Sequence, residues 1–402
     1  MNEPAALSER FQALDRFLLE HAALWRPRPF TRRELPWEAQ HSDLADWLRQ
    51  RSLEQAEEAH NRPAELQAPA PFPELAREAE ALSTLPRLAA ARYRHLSSRQ
   101  LRDIPGRKLA QIQAFADCLP PSEQPRHWLD WCAGKGHLGR YLTQAGDRLS
   151  ALEWDPALAQ AGRQLSARAA IEAEHHCVDV LTEGATAHLT AGHSAVALHA
   201  CGDLHIRLLQ LAAEAGCPAI AVAPCCYNRI AGRDYRPLSS AARASALRLD
   251  IDDLALPLTE TVTAGTRERR QRDHSMARRL AFDLLQRELR GEDDYLPTPS
   301  LPSAWLHEPF AAYCRHLAEL KGLPCPAERD WAALEQQGWT RLAQVRNLEL
   351  LRALFRRPLE TWLLLDRALY LEEQGYRVTL GTFCEPTLTP RNALLLAQRV
   401  AG

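Results

Sequence analysis

The sequence predicts an α/β protein built on a seven-stranded, mostly parallel sheet, with a helical N-terminal arm ahead of it and a helical insertion within it. Three observations predict this. Between His127 and Cys225, short apolar runs alternate with stretches of helical period, the rhythm of a parallel sheet with crossover helices. The first of these runs ends in a bend containing Gly134, Gly136 and Gly139, spaced G-x-G-x-x-G, and a helical pattern follows from Arg140. Near the C-terminus a strong amphipathic helix is followed by strand-like alternation, so the sheet resumes late in the chain.

Taken in order, residues 1–95 read as helices broken by proline-rich joints. Phe11, Leu14, Phe17 and Leu18 recur at helical spacing, as do Leu44, Trp47 and Leu48. The proline-rich run from Arg62 to Pro73 reads as a linker. Residues 96–231 form the ligand-binding part of the core. A helix is expected around Arg107 to Leu119. Strands are expected at His127–Trp131, Arg148–Glu153, Cys177–Val180, Ser194–Leu198 and Ala219–Ala223, with helices beginning at Arg140 and running over Leu158–Ala170 and on to Ala215. From Gly232 the rhythm changes to helices and proline-rich loops, which sets an insertion over 232–342. The core resumes over 343–402 with a helix at Leu359–Gln374 and strands at Tyr376–Phe383 and Asn392–Val400, a closing hairpin pair.

Composition narrows the function classes. The chain has 402 residues, 46% hydrophobic and 25% charged, ordinary values for a protein with a full core. Its net charge of −2 means that binding to nucleic acid would need a local basic patch. No apolar stretch approaches bilayer-spanning length, and the N-terminal residues lack the pattern of a secretory signal. Ten cysteines in a chain of this length make no dense framework, and several sit in apolar runs, so reduced thiols and a cytoplasmic location are expected.

Dinucleotide folds share the glycine pattern, but they place an apolar residue where this chain has Asp130. A carboxylate there would repel a pyrophosphate arriving at the helix N-terminus, yet would suit the ammonium of a methionine moiety. The expected ligand is therefore S-adenosylmethionine. Asp130 would bind the ammonium, while Cys132, Gly134 and Gly136 would carry the backbone beneath the ligand. Glu153, ending the second strand, would accept the ribose hydroxyls, with each bond to its charge worth roughly 1.5–3 kcal/mol. Asp179, ending the third, would lie near the adenine amino group. Such ligands sit beyond the carboxyl ends of parallel strands, where all these residues map.

A second constellation is expected at the ends of strands four and five, where His199, Cys201, Asp203, Cys225, Cys226 and Tyr227 should converge. It forms the catalytic set, under readings that remain open. In an acceptor pocket, Asp203 or His199 would orient or deprotonate an oxygen or nitrogen nucleophile, with Tyr227 and Asn228 positioning it. Alternatively, Cys201 and Cys225 would be the thiol pair of a pyrimidine C5-methyltransferase. A metal site at His199, Cys201, Cys225 and Cys226 is a third reading, although the spacings are not the common knuckles, and no metal is assigned. A fourth is that these small residues let the strand ends pack.

These motifs resemble a methyltransferase family. It includes the tRNA 2′-O-methyltransferase of acceptor-stem position 4 and the proteins related to the glutathione S-transferase C-terminal-domain-containing protein. The similarity lies in the acid-led D-W-C-A-G-K-G-H-L-G-R run from Asp130, the H-x-C-G-D-L element from His199 to Leu204, the Cys225-Cys226-Tyr227 strand end, and Thr389-Pro-Arg-Asn392. The basic pair Arg107 and Lys108 is similar to one that the family places before the first strand. The resemblance covers roughly 95–230 and 345–402, and implies a class I (Rossmann-like) methyltransferase fold. The tRNA branch also carries N-terminal cysteine–histidine zinc modules, whereas this chain has no cysteine before Cys118.

Arg267, Arg269, Arg270, Arg272, Arg278 and Arg279 are opposed locally only by Glu268 and Asp273. Such a cluster can neutralise phosphates and make binding salt-dependent, and the usual alternative is a solvated helix face. The leading expectation is methylation of RNA, with this cluster as its binding surface. A protein or small-molecule methyltransferase, or a non-catalytic regulator that binds the donor, are the alternatives.

Overall fold

The computed structural model describes residues 4–90, 103–259 and 266–400. The chain divides into two compact units, one of residues 1–19, 82–262 and 357–402, the other of 20–81 and 263–356. The arm expected over 1–95 is thus shared between them, and so is the insertion expected over 232–342.

The first unit is built on a seven-stranded sheet in the order β3-β2-β1-β4-β5-β7-β6. Its strands are β1 (His127–Trp131), β2 (Arg148–Glu153), β3 (Ala173–Cys177), β4 (His193–Cys201), β5 (Ala219–Cys225), β6 (Tyr376–Thr382) and β7 (Ala393–Arg399). The first five run parallel, and β7 is antiparallel to both β5 and β6. This is the mostly parallel sheet with a closing hairpin pair expected of a Rossmann-like methyltransferase. The chain switches sides between β3 and β4, so the carboxyl ends of β1 and β4, paired side by side, flank the natural crevice.

Burial explains which strands are legible. Four of the five residues of β1 and six of the seven of β5 are buried, as in strands covered on both faces. The edge strand β3 is polar, Ala-Glu-His-His-Cys, with only His175 buried. The expected strand Cys177–Val180 is therefore corrected to Ala173–Cys177. A solvated edge carries no apolar run to mark it, and the nearest such signal, the Cys-Val pair, lies downstream. The His175 ring occupies the space beside Gly136 and Gly162 and bonds Ser166 at 2.9 Å.

One face of the sheet packs Ile112 and Phe115 of the helix Gly106–Asp117 against Trp128, Val196 and Leu394. The helix Arg356–Glu373 carries a buried polar network behind the ends of β4 and β5. Asp366 accepts from the Tyr235 hydroxyl at 2.5 Å, from the Leu238 and Ser239 N–H groups, and from the Ser239 hydroxyl. Arg367 donates to His205 Nε2 at 2.8 Å, so the proton of His205 sits on Nδ1 and bonds the Ala200 carbonyl at 3.0 Å. Five buried polar side chains satisfy one another there, with Arg367 also donating to the Tyr235 hydroxyl, which holds the end of β4 in one arrangement. The helix Pro4–Glu20 belongs to this unit as well, with Phe11 against Trp362 and Asp15 accepting from the Trp362 indole at 2.8 Å.

The second unit is helical: Ala22–Trp25, Ser42–Gln50, Leu53–Ala59, Thr266–Arg290, Phe310–Leu320 and Trp331–Ala353, with most of Phe72–Ser83. A reciprocal capping box between Ser52 and Gln55 starts one of them. Phe282, Leu285, Tyr313 and Leu317 form its core. The run expected as a linker from Arg62 to Pro73 holds only a short 3-10 turn, Pro63–Glu65, before the helix that begins at Phe72. Among the described residues, no helix is long and apolar enough to cross a membrane.

Candidate active site

The glycine bend is held by the carboxylates expected to hold a ligand. Asp130, 2% exposed, accepts the Gly139 N–H on Oδ2 at 2.8 Å. Glu153 accepts the Gly134 N–H at 2.8 Å on one oxygen and the Asp155 N–H at 3.0 Å on the other. Both acids therefore shape the loop, and each oxygen retains a lone pair for a ligand. Burial pushes the Asp130 carboxyl up to about 7, against the opposing pull of the Gly139 N–H and the more distant Lys108 charge. A cation placed beside it would reverse that penalty.

Asp130 borders a 570 Å³ cavity lined also by Cys132, Ala133, Leu138, Leu198 and His199, with Lys108 and Gln111 on the facing helix. A Cβ at Gly134 would meet nothing within 4 Å, so the bend leaves an open cradle there. Burial pushes the Cys132 thiol up to about 12, leaving it neutral at ordinary pH. Asp179 is exposed two residues beyond β3, where it accepts the Leu181 N–H at 3.0 Å. A residue that no sequence signal marked, Trp154, follows Glu153 directly and is 74% exposed. An indole face left in water beside Glu153 is suited to a nucleobase. The donor set thus fits S-adenosylmethionine: an acid for the ammonium, an acid for the ribose, an open bend between them and an aromatic plane.

At the ends of β1, β4 and β5 the backbone is strained. Cys132, His199 and Cys226, with φ of 56°, 65° and 47°, are three of the five non-glycine residues in the left-handed region among the described residues. Each such residue costs on the order of 1–3 kcal/mol, and clustering of that kind marks functional sites. His199 sits at a register shift between β4 and β5, and its Nε2 bonds Gln111 Oε1 at 3.2 Å. Burial, with the Arg391 and Lys108 charges, lowers it to about 4, so the ring is neutral, with its proton on Nε2 and a lone pair on Nδ1.

The expected catalytic set divides. The sulfurs of Cys201, Cys225 and Cys226 lie within 4.8 Å of one another, while the His199 ring stands outside that group and faces Gln111. Asp203 and Tyr227 serve the scaffold. Asp203 accepts the Ala231 N–H at 2.6 Å and its own N–H bonds the Arg229 carbonyl at 2.9 Å, tying the loop after β5 to the helix Asp203–Glu214. A Cβ on the neighbouring Gly202 (φ 51°) would stand 1.9 Å from the Arg229 carbonyl oxygen, so only glycine allows this approach. Tyr227 is buried in the core, its hydroxyl 3.4 Å from Glu360 and its ring under the Arg367 guanidinium.

The Thr389–Asn392 segment closes this end of the sheet. Leu388 accepts from Arg107 at 2.9 Å and from Gln111 at 3.2 Å, and Asn392 donates to the Cys384 carbonyl at 2.7 Å. Arg391 reaches the Leu258 carbonyl at 2.8 Å while its charge acts on His199 and Cys226.

The expected arginine surface belongs to the helical unit and is largely occupied within it. Arg278 is buried and bonds Glu335 at 2.8 Å and the Glu308 carbonyl at 2.9 Å. Arg279 holds Thr298 and the Pro299 carbonyl, and Arg269 and Arg272 face Glu57. Arg267 and Arg270 are the exposed members.

Residues 107–233, from the helix beside the cavity through the loop after β5, match the model of a family described as a methyltransferase domain. Domains of this family use S-adenosylmethionine as the methyl donor.

Proposed function

We propose that this chain, which carries a methyltransferase domain over residues 107–233, transfers the methyl group of S-adenosylmethionine to RNA. The observation that carries the donor half is the pairing of Asp130 and Glu153 on the open glycine bend, with Asp130 lining a 570 Å³ cavity. The donor supplies an electrophilic methyl group. This chain's residues hold and orient what reacts, and orientation alone can supply roughly 7–11 kcal/mol of a barrier of this kind. Asp130 would hold the ammonium, Glu153 the ribose hydroxyls and Trp154 the adenine face. His199, neutral and oriented by Gln111, offers Nδ1 as a proton acceptor for an attacking hydroxyl or ring nitrogen.

For the acceptor half, cations at the site speak more directly than the arginine run. Arg107 and Lys108 line the cavity, and the charges of Lys108 and Arg391 act on His199. A phosphodiester chain would find counter-charges there. The second reading, a protein or small-molecule acceptor, is favoured by the engagement of Arg278 and Arg279 in packing.

The test is labelled methyl transfer into RNA, protein and metabolite fractions from cells lacking the gene. RNA labelling that declines steeply with salt, and less steeply for Lys108→Ala, is the expected result. Label confined to protein or metabolites would replace the RNA assignment, and donor binding without transfer into any fraction would leave a regulator.

A further inference from the structure

We propose that Cys201, Cys225 and Cys226 bind a zinc ion as a three-thiolate site whose fourth position is open. Their sulfurs lie within 4.8 Å of one another, and Cys201 and Cys225 approach to 3.4 Å. With zinc–sulfur bonds of about 2.3 Å, tetrahedral ligands stand roughly 3.8 Å apart, so small side-chain adjustments close the site. Among the described residues no other group of metal-ligating side chains converges in this way.

The backbone builds this cluster at a cost. Consecutive strand residues point to opposite faces, so Cys225 and Cys226 would ordinarily diverge. The left-handed conformation of Cys226 brings its sulfur back beside that of Cys225. On the neighbouring strand, the register shift at left-handed His199 sets Cys201 opposite Cys225. Two strained residues thus serve one convergence of three thiols, and strain of this kind persists where function requires it.

A divalent ion supplies the counter-charge for three thiolates and drives their protons off. An all-sulfur ligand set excludes the hard cations and suits zinc, which has no geometric demand of its own. Three protein ligands with an open position is the pattern of a reactive rather than a structural zinc.

Zinc binding at these thiols is independent of the methyl donor and is tested without it. The full chain, purified without chelator, is expected to contain one zinc per molecule by elemental analysis. Cobalt substitution should give thiolate-to-metal charge-transfer absorption. Cys201→Ser and Cys226→Ser should each lose the zinc with the helical circular dichroism unchanged, while Cys325→Ser, on the other unit, keeps it. If the serine variants misfold, added zinc should still protect Cys226 of the unmodified chain from alkylation. Reduced protein that takes up no zinc, variants that retain it in full, or a Cys201–Cys225 disulfide whose reduction yields no zinc-binding species would overturn the proposal.

Discussion

Replacing Asp130 with asparagine is expected to stabilise the free protein at pH 8 while destroying its affinity for S-adenosylmethionine. The carboxyl is 2% exposed and is raised from 3.8 to about 7 by burial. At about 1.4 kcal/mol per pH unit, the ionised form therefore costs the fold about 4 kcal/mol above neutrality. The folded chain keeps this proton up to about pH 7, whereas the unfolded chain gives it up near 3.8. More protons are bound by the folded state in that window, so this group's contribution to stability declines as pH rises from about 4 to about 7 and is flat above. Asparagine cannot ionise, and its carbonyl can still accept the Gly139 N–H. Urea unfolding at pH 5 and pH 8 should show a variant gain of up to about 4 kcal/mol at pH 8, less whatever the new amide hydrogens fail to bond, and of only about 1.6 kcal/mol at pH 5. Ligand addition should narrow the gap, since saturating donor stabilises only the chain that binds it, by about 2.7 kcal/mol at a hundredfold excess over Kd. An asparagine variant that is less stable at pH 8, or that binds the donor normally by calorimetry, would refute both the burial penalty and the ammonium assignment.

Three further outcomes are expected. Trp154→Ala should weaken donor binding by about 1–3 kcal/mol, a typical base-stacking contribution, with no fall in Tm because the ring is exposed; calorimetry and thermal scanning check the two halves. Gly139→Ala places a Cβ 2.4 Å from Leu149 Cδ1 and 3.1 Å from Asp130, so about 1–3 kcal/mol of stability should be lost in urea titration, together with donor affinity. Asp366→Ala strands the Tyr235, Leu238 and Ser239 donors in the core and should cost about 3–5 kcal/mol; unfolding at an unchanged denaturant midpoint would contradict a network that holds the end of β4.

Much of the sheet is legible in the sequence because central parallel strands are apolar on both faces and end in recognisable turns. β1 and β2 lie where the alternation places them, with Asp130 and Glu153 at their carboxyl ends. The polar edge strand β3 lacks that signal, and its expected position falls too late in the chain. Trp154 carries no mark because an exposed tryptophan and a buried one look alike in one dimension. Gln111, which orients His199 from 88 residues away, has no local mark at all. The arginine run is the converse case. Its charge is plain, but the burial of Arg278 and the packing of Arg279 depend on segments distant in the chain.

By itself the sequence determined the class of sheet, the strand-to-helix glycine bend and the chemical character of the groups at the strand ends. These follow from local periodicity, from glycine's conformational range and from charge, all of which act over a few residues. Only the tertiary structure decided how the conspicuous side chains divide their work. Cys201, Cys225 and Cys226 meet, whereas Tyr227, one residue further on, turns into the core to meet Glu360 and Arg367. That division turns on a register shift at His199 and a left-handed Cys226, and neighbouring strands and a buried polar network impose both. A single chain direction contains no such information until strands 24 residues apart are laid side by side.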